Sequence, residues 1–333
     1  MEKDKSNIMR RAGDLIRGGK LVAFPTETVY GLGADAFNAA AVRRIFEVKQ
    51  RPASDPLIVH IADMEDLGRV SSDLPDEALK LAGLFWPGPL TIILKKSADI
   101  PPEVTAGLDT VAVRMPSHPL ALELIKNSGT PVAAPSANVF GSLSPTRARH
   151  VREELGDKVD YLIDGGSSDI GVESTIVDLT VSPFCLLRPG GVPLEELSSV
   201  LGRVEYRFTA RGPVRAPGTM ASHYSPAAEM VVVEFSPDQV EKMSRLAGSG
   251  IREGKKVGVI TSPENSGRFP GCITGIYGPD PGSRHLARNL FSLLRDMDRA
   301  GVDLIIAGGV EESGMGLAVM DRLRRGSACA RKE

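Results

Sequence analysis

Two cations separated by one residue, Lys49 and Arg51, are the first candidates for chemistry in this sequence. They lie where a predicted helix ends, just before Pro52. A lysine supplies a point charge and an arginine supplies a two-pronged donor, and together these suit a polyphosphate. Two cations at a helix end can equally do no more than complement the helix dipole. Their spacing alone does not decide between these interpretations.

Small and hydroxyl-bearing residues follow two apolar segments. Residues 25–33, Pro-Thr-Glu-Thr-Val-Tyr-Gly-Leu-Gly, combine hydroxyls with glycines that let the backbone approach a ligand, although an ordinary turn explains them equally well. No Gly-Lys-Ser/Thr follows, so this is not a Walker motif. Residues 133–138, Ala-Ala-Pro-Ser-Ala-Asn, leave Ser136 and Asn138 able to contact a flat ligand. The alternative is tight packing at a strand end, with the asparagine in a turn.

Arginines stand at the ends of two further apolar segments, Arg114 before Met-Pro and Arg188 before Pro-Gly. A buried arginine needs a partner, and either a substrate carboxylate or a structural ion pair would serve. Glu173 can pair with one of these arginines, so it need not be catalytic. Ser144 is predicted to cap a helix that begins at Pro145.

Two histidines are weaker candidates. His60 follows Leu-Ile-Val, and a lone histidine is more often a structural residue than a catalyst. His223 and Tyr224 lie in a segment rich in turn formers, where they form a candidate lid that excludes water. The alternative is a hinge whose tyrosine packs on a neighbouring domain.

The elements that must position these residues alternate between strands and helices, which is typical of an α/β protein. Asn38 caps the predicted helix that ends before Pro52. The other predicted helices are residues 77–85, 120–126, 145–155, 285–299 and 315–325. The predicted strands are residues 21–24, 57–61, 91–94, 110–113, 132–134, 161–163, 174–179, 185–187, 230–235, 256–260 and 302–307.

Composition limits the class of protein. The chain has 333 residues, enough for two domains, with 42% hydrophobic and 25% charged residues. A net charge of −2 argues against a nucleic-acid binder with one broad basic surface. The three cysteines are dispersed, which indicates reduced thiols rather than a disulfide framework or a zinc site. We see no secretory signal and no membrane-spanning apolar segment, and we expect a soluble, cytoplasmic protein.

The turn-rich segment divides the chain. We predict a domain over residues 1–202, a linker or lid over 203–228, and a smaller α/β domain over 229–333.

Taken together, these segments resemble the YrdC-like family, in its two-domain form. The resemblance runs from about residue 10 to 200, and the tail resembles the family's Rossmann-like extra domain, notably at residues 287–291 and 314–320. The family hallmark is Lys-x-Arg with Ser-x-Asn, present here at Lys49, Arg51, Ser136 and Asn138. The motifs that carry it are residues 24–33, 49–51, 56–60, 86–91, 106–116, 134–138, 171–175 and 187–190.

The resemblance implies a twisted mixed sheet with helices around a deep, positively charged cavity. It also implies a nucleotidyltransferase that makes L-threonylcarbamoyladenylate from L-threonine, bicarbonate and ATP. Pyrophosphate is released, and the product serves the N6-threonylcarbamoyladenosine modification of tRNA. Mg²⁺ is expected with the ATP, and no metal site of the protein's own is expected. A complex that transfers the group to tRNA is the expected partner, and tRNA binding by this chain is not required.

The resemblance also assigns residues. Lys49 and Arg51 correspond to the phosphate-binding pair, which would act by positioning and charge neutralisation without a covalent nucleophile. The residues expected at ATP are Lys49, Arg51, Asp55, Thr110, Ser136, Asn138, Ser144, Arg188, His223 and Tyr224. Those expected at threonine are Thr26, His60, Arg114, Ala134 (through its backbone) and Ser174.

Two features depart from the family pattern. Asp55 stands where many members carry asparagine, and a carboxylate near phosphates is repulsive unless it helps to hold Mg²⁺. In the linker, residues 219–222 stand where some members have basic or aromatic residues.

Two other functions fit this sequence less well. Carbamoyl transfer for hydrogenase maturation uses a YrdC-like module in a much larger protein with CxxC zinc motifs, which this chain lacks. A non-catalytic RNA-binding member would keep the basic cavity, but the intact set of Lys49, Arg51, Ser136 and Asn138 argues for retained chemistry.

Overall fold

The chain folds into two compact units, seen in a computed structural model that describes residues 2–206, 216–219, 224–279 and 282–327, with the side chains of residues 7 onward. The first unit comprises Met1–Phe140, Ser144–Asp169 and Glu173–Met220. The second comprises Gly141–Leu143, Ile170–Val172 and Ala221–Glu333. The predicted domain boundaries, at residues 202 and 228, stay predictions.

The first unit is built on a ten-stranded mixed sheet with the order β10-β9-β8-β4-β5-β3-β6-β2-β1-β7. β3 runs parallel to β5 and antiparallel to β6, so the carboxyl ends of β3 and β5 meet the start of β6 at one edge. The strands are β1 Val22–Phe24, β2 Gly31–Asp35, β3 Ile58–His60, β4 Leu90–Lys95, β5 Thr110–Arg114, β6 Val132–Ala133, β7 Tyr161–Leu162, β8 Thr175–Asp178, β9 Phe184–Arg188 and β10 Val204–Tyr206.

Within the residues that the structure describes, eight α-helices accompany this sheet. They are α1 Glu2–Arg17, α2 Ala39–Lys49, α3 Leu67–Val70, α4 Asp76–Phe85, α5 Pro102–Thr105, α6 Pro119–Ser128, α7 Ala148–Leu155 and α8 Leu194–Leu201. Helices α1 and α6 pack against each other and bury one apolar cluster with β1, in which Ile16, Phe24 and Leu124 are fully buried.

The second unit contains a smaller, entirely parallel sheet with the order β11-β14-β12-β13. Its strands are β11 Glu229–Val233, β12 Val257–Thr261, β13 Ile273–Ile276 and β14 Leu304–Gly308, and its helices are α9 Gln239–Arg252, α10 Ser283–Arg299 and α11 Gly316–Ser327. Every residue of β12 and β14 is buried, and seven of the ten are Val, Ile, Leu or Ala, as expected for parallel strands covered on both faces.

The predicted fold class is confirmed: a large mixed sheet with helices, followed by a smaller α/β unit. The helix predicted over residues 145–155 is wrong at its start, because α7 begins at Ala148 and Arg147 occupies the N-cap position. Ser144 therefore does not cap it. Several elements escaped prediction, among them α1, β2, α9 and β13. The predicted linker begins with a strand, since β10 pairs parallel to β9.

None of the helices in the described residues is long and apolar enough to cross a membrane.

The contact between α1 and α6 predicts a difference between two glycines that both lie in helices. A Cβ added at Gly13 would lie 2.5 Å from the backbone carbonyl carbon of Asn127, whereas one at Gly83 meets open space. We expect Gly13→Ala to lower the free energy of unfolding by about 1–3 kcal/mol through overpacking. Gly83→Ala should raise it by about 0.5–1 kcal/mol through helix propensity. Urea unfolding of both variants checks this, and equal shifts would contradict the packing described.

Candidate active site

A left-handed residue places Lys49 and Arg51 in the interior. Helix α2 begins at the side chain of Asn38, which accepts a hydrogen bond from the Ala41 amide at 3.1 Å. It ends at Gln50, whose φ of 52° turns the chain sharply. Lys49 is then only 1% exposed and Arg51 only 7% exposed, so neither cation lies on the surface. The interpretation of these residues as simple dipole complements at an exposed helix end does not fit their burial.

Lys49 is held by the segment that carries the Ser-x-Asn motif. Its Nζ donates to the carbonyl oxygen of Ser136 at 2.5 Å and to that of Asn138. Burial, with a further contribution from the Arg51 guanidinium, holds the pKa of Lys49 well below its usual value. The sequence therefore brings the two halves of the family hallmark into direct contact, through backbone oxygens of one half.

The segment 135–137 is itself fixed by β2. The Leu32 amide donates to Pro135 at 2.9 Å, and the Ala137 amide donates to Tyr30 at 2.8 Å. The side-chain amide of Asn138 donates to the carbonyl oxygen of Val139 at 2.8 Å. These backbone contacts position the two carbonyl groups that receive Lys49.

Arg51 pairs with Asp55. Its guanidinium lies 2.9 Å from Asp55 Oδ2 and also donates to the carbonyl oxygens of Asp55 and Pro56, at 3.1 and 2.8 Å. Asp55 is fully buried, and among the described residues its Oδ1 has no hydrogen-bond partner. Burial raises the pKa of Asp55, against the effect of Arg51. The carboxylate that departs from the family pattern is thus the partner of the predicted catalytic arginine.

Arg114 and His60 lie side by side at the ends of β5 and β3, which pair in parallel with these residues in register. Arg114 donates through Nε to Gly88 at 3.2 Å and through its terminal nitrogen to Glu27 Oε1 at 2.6 Å. Burial, followed by the charge of Arg114, lowers the pKa of His60 from 6.5 to about 3. His60 is therefore a neutral imidazole at physiological pH.

Thr26 and Ala134 have structural contacts of their own. The Thr26 hydroxyl donates to the carbonyl oxygen of Val29 at 2.5 Å and accepts from the Val29 amide at 3.2 Å, which closes a tight turn. The Ala134 amide donates to Ile58 at 2.9 Å, extending the pairing of β6 with β3.

Ser144, Ser174 and Arg188 belong to a second group of contacts. The Ser144 hydroxyl donates to Glu173, which explains why it does not cap α7. The Ser174 hydroxyl lies 2.7 Å from that of Thr91 and receives Arg188 at 3.1 Å. Arg188 also donates to Pro217 at 2.9 Å, so it fixes the described part of the connecting segment within the first unit.

Thr110 stands apart from the threonine candidates. It begins β5, opposite Lys95, while Arg114 ends the same strand. At about 3.3 Å per residue these two are roughly 13 Å apart along the strand. That separation suits residues predicted to contact different substrates.

Tyr224 belongs to the second unit and is 2% exposed. Its ring packs on Phe291, with centroids 5.6 Å apart, and the Arg322 guanidinium lies 5.0 Å from its centroid. His223, the other half of the candidate lid, lies outside the described residues.

Glu27 was not singled out from the sequence, although it sits in the Pro-Thr-Glu-Thr run. Nothing in the local pattern predicts its partner, which lies 87 residues away. The one available signal was Arg114, for which the sequence demanded a buried partner; the carboxylate considered for the two arginines was Glu173, whereas Arg114 pairs with Glu27.

These contacts define a class of protein: an α/β enzyme scaffold whose larger unit gathers, among the described residues, buried cations, hydroxyls and backbone oxygens at strand ends. In the same residues, no group of three or more His, Cys, Asp or Glu side chains could hold a metal ion.

The family follows from two matches that together span most of the chain. The Sua5/YciO/YrdC family model, described as telomere recombination, matches residues 14–190. A second model, described as the C-terminal domain of threonylcarbamoyl-AMP synthase, matches residues 192–328. The chain belongs to the Sua5/YciO/YrdC family, in the form that carries this C-terminal domain.

Relatives match along nearly the whole chain. A threonylcarbamoyl-AMP synthase from Pyrococcus abyssi is 52% identical over 324 residues, covering 96% of this chain and 94% of the relative. One from Bacillus subtilis is 43% identical, covering 95% and 91%. The crystal structure of P. abyssi Sua5 complexed with L-threonine has a TM-score of 0.92 at 51% identity, covering 97% of this chain and 94% of that chain.

The buried His60 predicts a pH dependence of stability. Between pH 6.5 and about 3 the unfolded chain takes up a proton that the folded imidazole does not. The free energy of unfolding should therefore fall as the pH falls through this window, by up to about 1.4 kcal/mol per pH unit from this group. Urea unfolding at several pH values should show a shallower slope for His60→Gln. An unchanged slope, or an NMR titration of His60 near pH 6.5, would contradict the assignment.

Proposed function

We propose that this chain makes threonylcarbamoyl-AMP from L-threonine, bicarbonate and ATP, with release of pyrophosphate. Full-length relatives carry the name threonylcarbamoyl-AMP synthase, and a homologous structure was solved with L-threonine bound. The observation in this chain that best supports the proposal is the burial of Lys49 against Ser136 and Asn138. A cation buried this deeply has lost its hydration, and an anionic ligand would compensate for that loss.

Two bonds form in sequence. The threonine nitrogen attacks the carbon of bicarbonate and gives a carbamate, with loss of water. A carbamate oxygen then attacks the α-phosphorus of ATP, and pyrophosphate carries away the bonding electron pair. The chain's contribution is to hold the reactants in line and to neutralise the phosphate charge, which can lower a barrier by several kcal/mol without a covalent intermediate.

Lys49 is suited to a ligand that restores its charge. Protonated, it has three N–H donors, of which two are directed to the carbonyl groups of Ser136 and Asn138. The third remains for a phosphate oxygen. Because an anion nearby raises the pKa of a lysine, nucleotide binding would favour the protonated form that burial alone disfavours.

Mg²⁺ enters with the nucleotide in this proposal. It is commonly held by one or two carboxylates together with substrate phosphates. Asp55 lies beside Arg51 and has a buried oxygen without a hydrogen-bond partner among the described residues, so it fits as a ligand from this chain. The metal would offset triphosphate charge, while Arg51 and Asp55 orient each other.

The product is a reactive mixed anhydride, so it must pass to an acceptor promptly. We propose that a complex that transfers threonylcarbamoyl to tRNA adenosine consumes it in the cytoplasm. The net charge of −2 agrees with an arrangement in which that complex, rather than this chain, holds most of the tRNA.

The reaction itself is the first test. Purified protein with threonine, bicarbonate, ATP and Mg²⁺ should release pyrophosphate, and omission of either threonine or bicarbonate should abolish the release. Because carbamate formation precedes attack on ATP, neither co-substrate is dispensable. A coupled pyrophosphate assay measures this.

Lys49→Ala is the control for contaminating enzymes. It should lose most of the activity while keeping its thermal unfolding transition. Hydrolysis of ATP that ignores threonine, or RNA binding in a gel shift without any pyrophosphate release, would contradict the proposal.

Arg114 is expected to serve threonine rather than ATP. Arg114→Ala should raise the threonine KM by more than about tenfold, because a buried guanidinium pair with a carboxylate is worth a few kcal/mol. The ATP KM should change much less. Steady-state kinetics with each substrate varied in turn provide the measurement, and an unchanged threonine KM would mean that the amino acid's carboxylate binds elsewhere.

A further inference from the structure

Glu27 is a buried carboxylate with only part of its hydrogen-bonding capacity used. It is 6% exposed, and its Oε1 accepts Arg114 at 2.6 Å. Among the described residues, its Oε2 has no hydrogen-bond partner. A buried acceptor without a donor is unfavourable, and more so when it is charged. A ligand with an N–H donor would supply the hydrogen bond that Glu27 Oε2 lacks.

The surroundings define what kind of donor fits. His60, in register with Arg114, is neutral and adds no charge. The Thr26 hydroxyl is engaged in its own turn. Arg114 and Glu27 are then one positive and one negative group side by side, which is the charge pattern complementary to an α-amino acid zwitterion. The carboxylate of such a ligand suits the guanidinium, and its ammonium suits the remaining carboxylate oxygen.

We propose that the Glu27 carboxylate binds the α-ammonium group of threonine, through the oxygen that Arg114 leaves open. This rests on the proposed function, since it takes threonine as the substrate. It assigns to Glu27 the selection of an amino acid over a hydroxy acid of the same shape. It also places the substrate nitrogen by an ionic contact rather than by the side-chain methyl or hydroxyl, and this nitrogen attacks bicarbonate once the ammonium has released a proton to water.

Calorimetric titration without ATP separates this contact from catalysis. Glu27→Gln keeps an oxygen for Arg114 but removes the charge. It should weaken threonine binding about 10- to 100-fold, the size of one charge-assisted hydrogen bond. Glu27→Asp, which keeps the charge on a shorter side chain, should bind threonine more tightly than Glu27→Gln. Thermal unfolding of each variant confirms that it is folded.

Two analogues identify the group that Glu27 contacts. 2-Aminobutanoate keeps the ammonium and lacks the hydroxyl, so Glu27→Gln should weaken it as much as threonine. 2,3-Dihydroxybutanoate has a hydroxyl in place of the ammonium, so Glu27→Gln should leave its weak binding nearly unchanged. Equal weakening of threonine and the dihydroxy acid would show that Glu27 acts only through Arg114. Weakening of threonine alone, with 2-aminobutanoate unaffected, would assign it to the side-chain hydroxyl. Either result overturns the proposal.

Asp178→Asn is the matched control. Asp178 is 1% exposed and is the last residue of β8, whereas Ser174 lies just before the first. The Asp178 carboxylate accepts a hydrogen bond from the Thr180 hydroxyl at 2.6 Å. The variant should bind threonine like the wild type. If the wild type releases pyrophosphate while Glu27→Gln binds threonine normally, the ammonium contact is wrong and the proposed function stands. If the wild type does not bind threonine, both fail.

Discussion

Desolvation of charged side chains is the constraint on which the larger unit depends. A cation removed from water is unfavourable unless oxygens replace the lost solvent. Lys49 obtains these oxygens from two carbonyl groups, Arg51 from Asp55 and two more carbonyls, and Arg114 from Glu27 and Gly88. Each of these cations can reach its oxygens only because neighbouring strands and loops end close to it.

That requirement explains why the strands at the site are short. β3 and β1 have three residues each and β6 has two, so the chain leaves the sheet early and its carbonyl groups turn toward side chains. The Ser-x-Asn segment is held by two backbone hydrogen bonds. Leu32 of β2 donates to Pro135, and Ala137 donates to Tyr30, the residue before β2. The short strands are thus part of the site rather than a weakness of the sheet.

Local sequence patterns predicted most of the helices and strands, but few of the contacts between residues that are distant in sequence. Apolar runs marked the ends of β3 and β5, and so placed His60 and Arg114 at strand ends. β2 escaped because Gly-Leu-Gly-Ala-Asp has poor strand propensity. Phe24 packs over both glycines, and a Cβ added at Gly33 would lie 2.9 Å from its ring, so the strand needs glycine there. Such a contact between different strands has no local signal.

The same limit applies to the site. Residue types and spacing made Lys49, Arg51, Ser136 and Asn138 candidates, and the resemblance to a family assigned them to ATP. The contact of Lys49 with two carbonyl groups could not be inferred from side-chain types. Ser144 looked like a helix cap because serine before proline usually is one, but Glu173 takes its hydroxyl instead. In both cases the partner is remote in sequence, and the competing local interpretation was chemically sound.

Buried cations in this unit are compensated in two ways, by a carboxylate or by backbone carbonyl groups, and the two ways differ in what a substitution costs. Arg114 and Glu27 compensate each other, so removal of either leaves a buried charge, which typically costs about 3–5 kcal/mol. The Lys49 ammonium donates to two backbone carbonyl groups, so its removal takes one donor from each, at a cost of about 1–3 kcal/mol each at most. Part of that cost is returned, because the desolvation that depresses the pKa of Lys49 disappears with it. Removal of Lys49 therefore takes away a buried charge, whereas removal of Arg114 or Glu27 leaves the opposite charge buried.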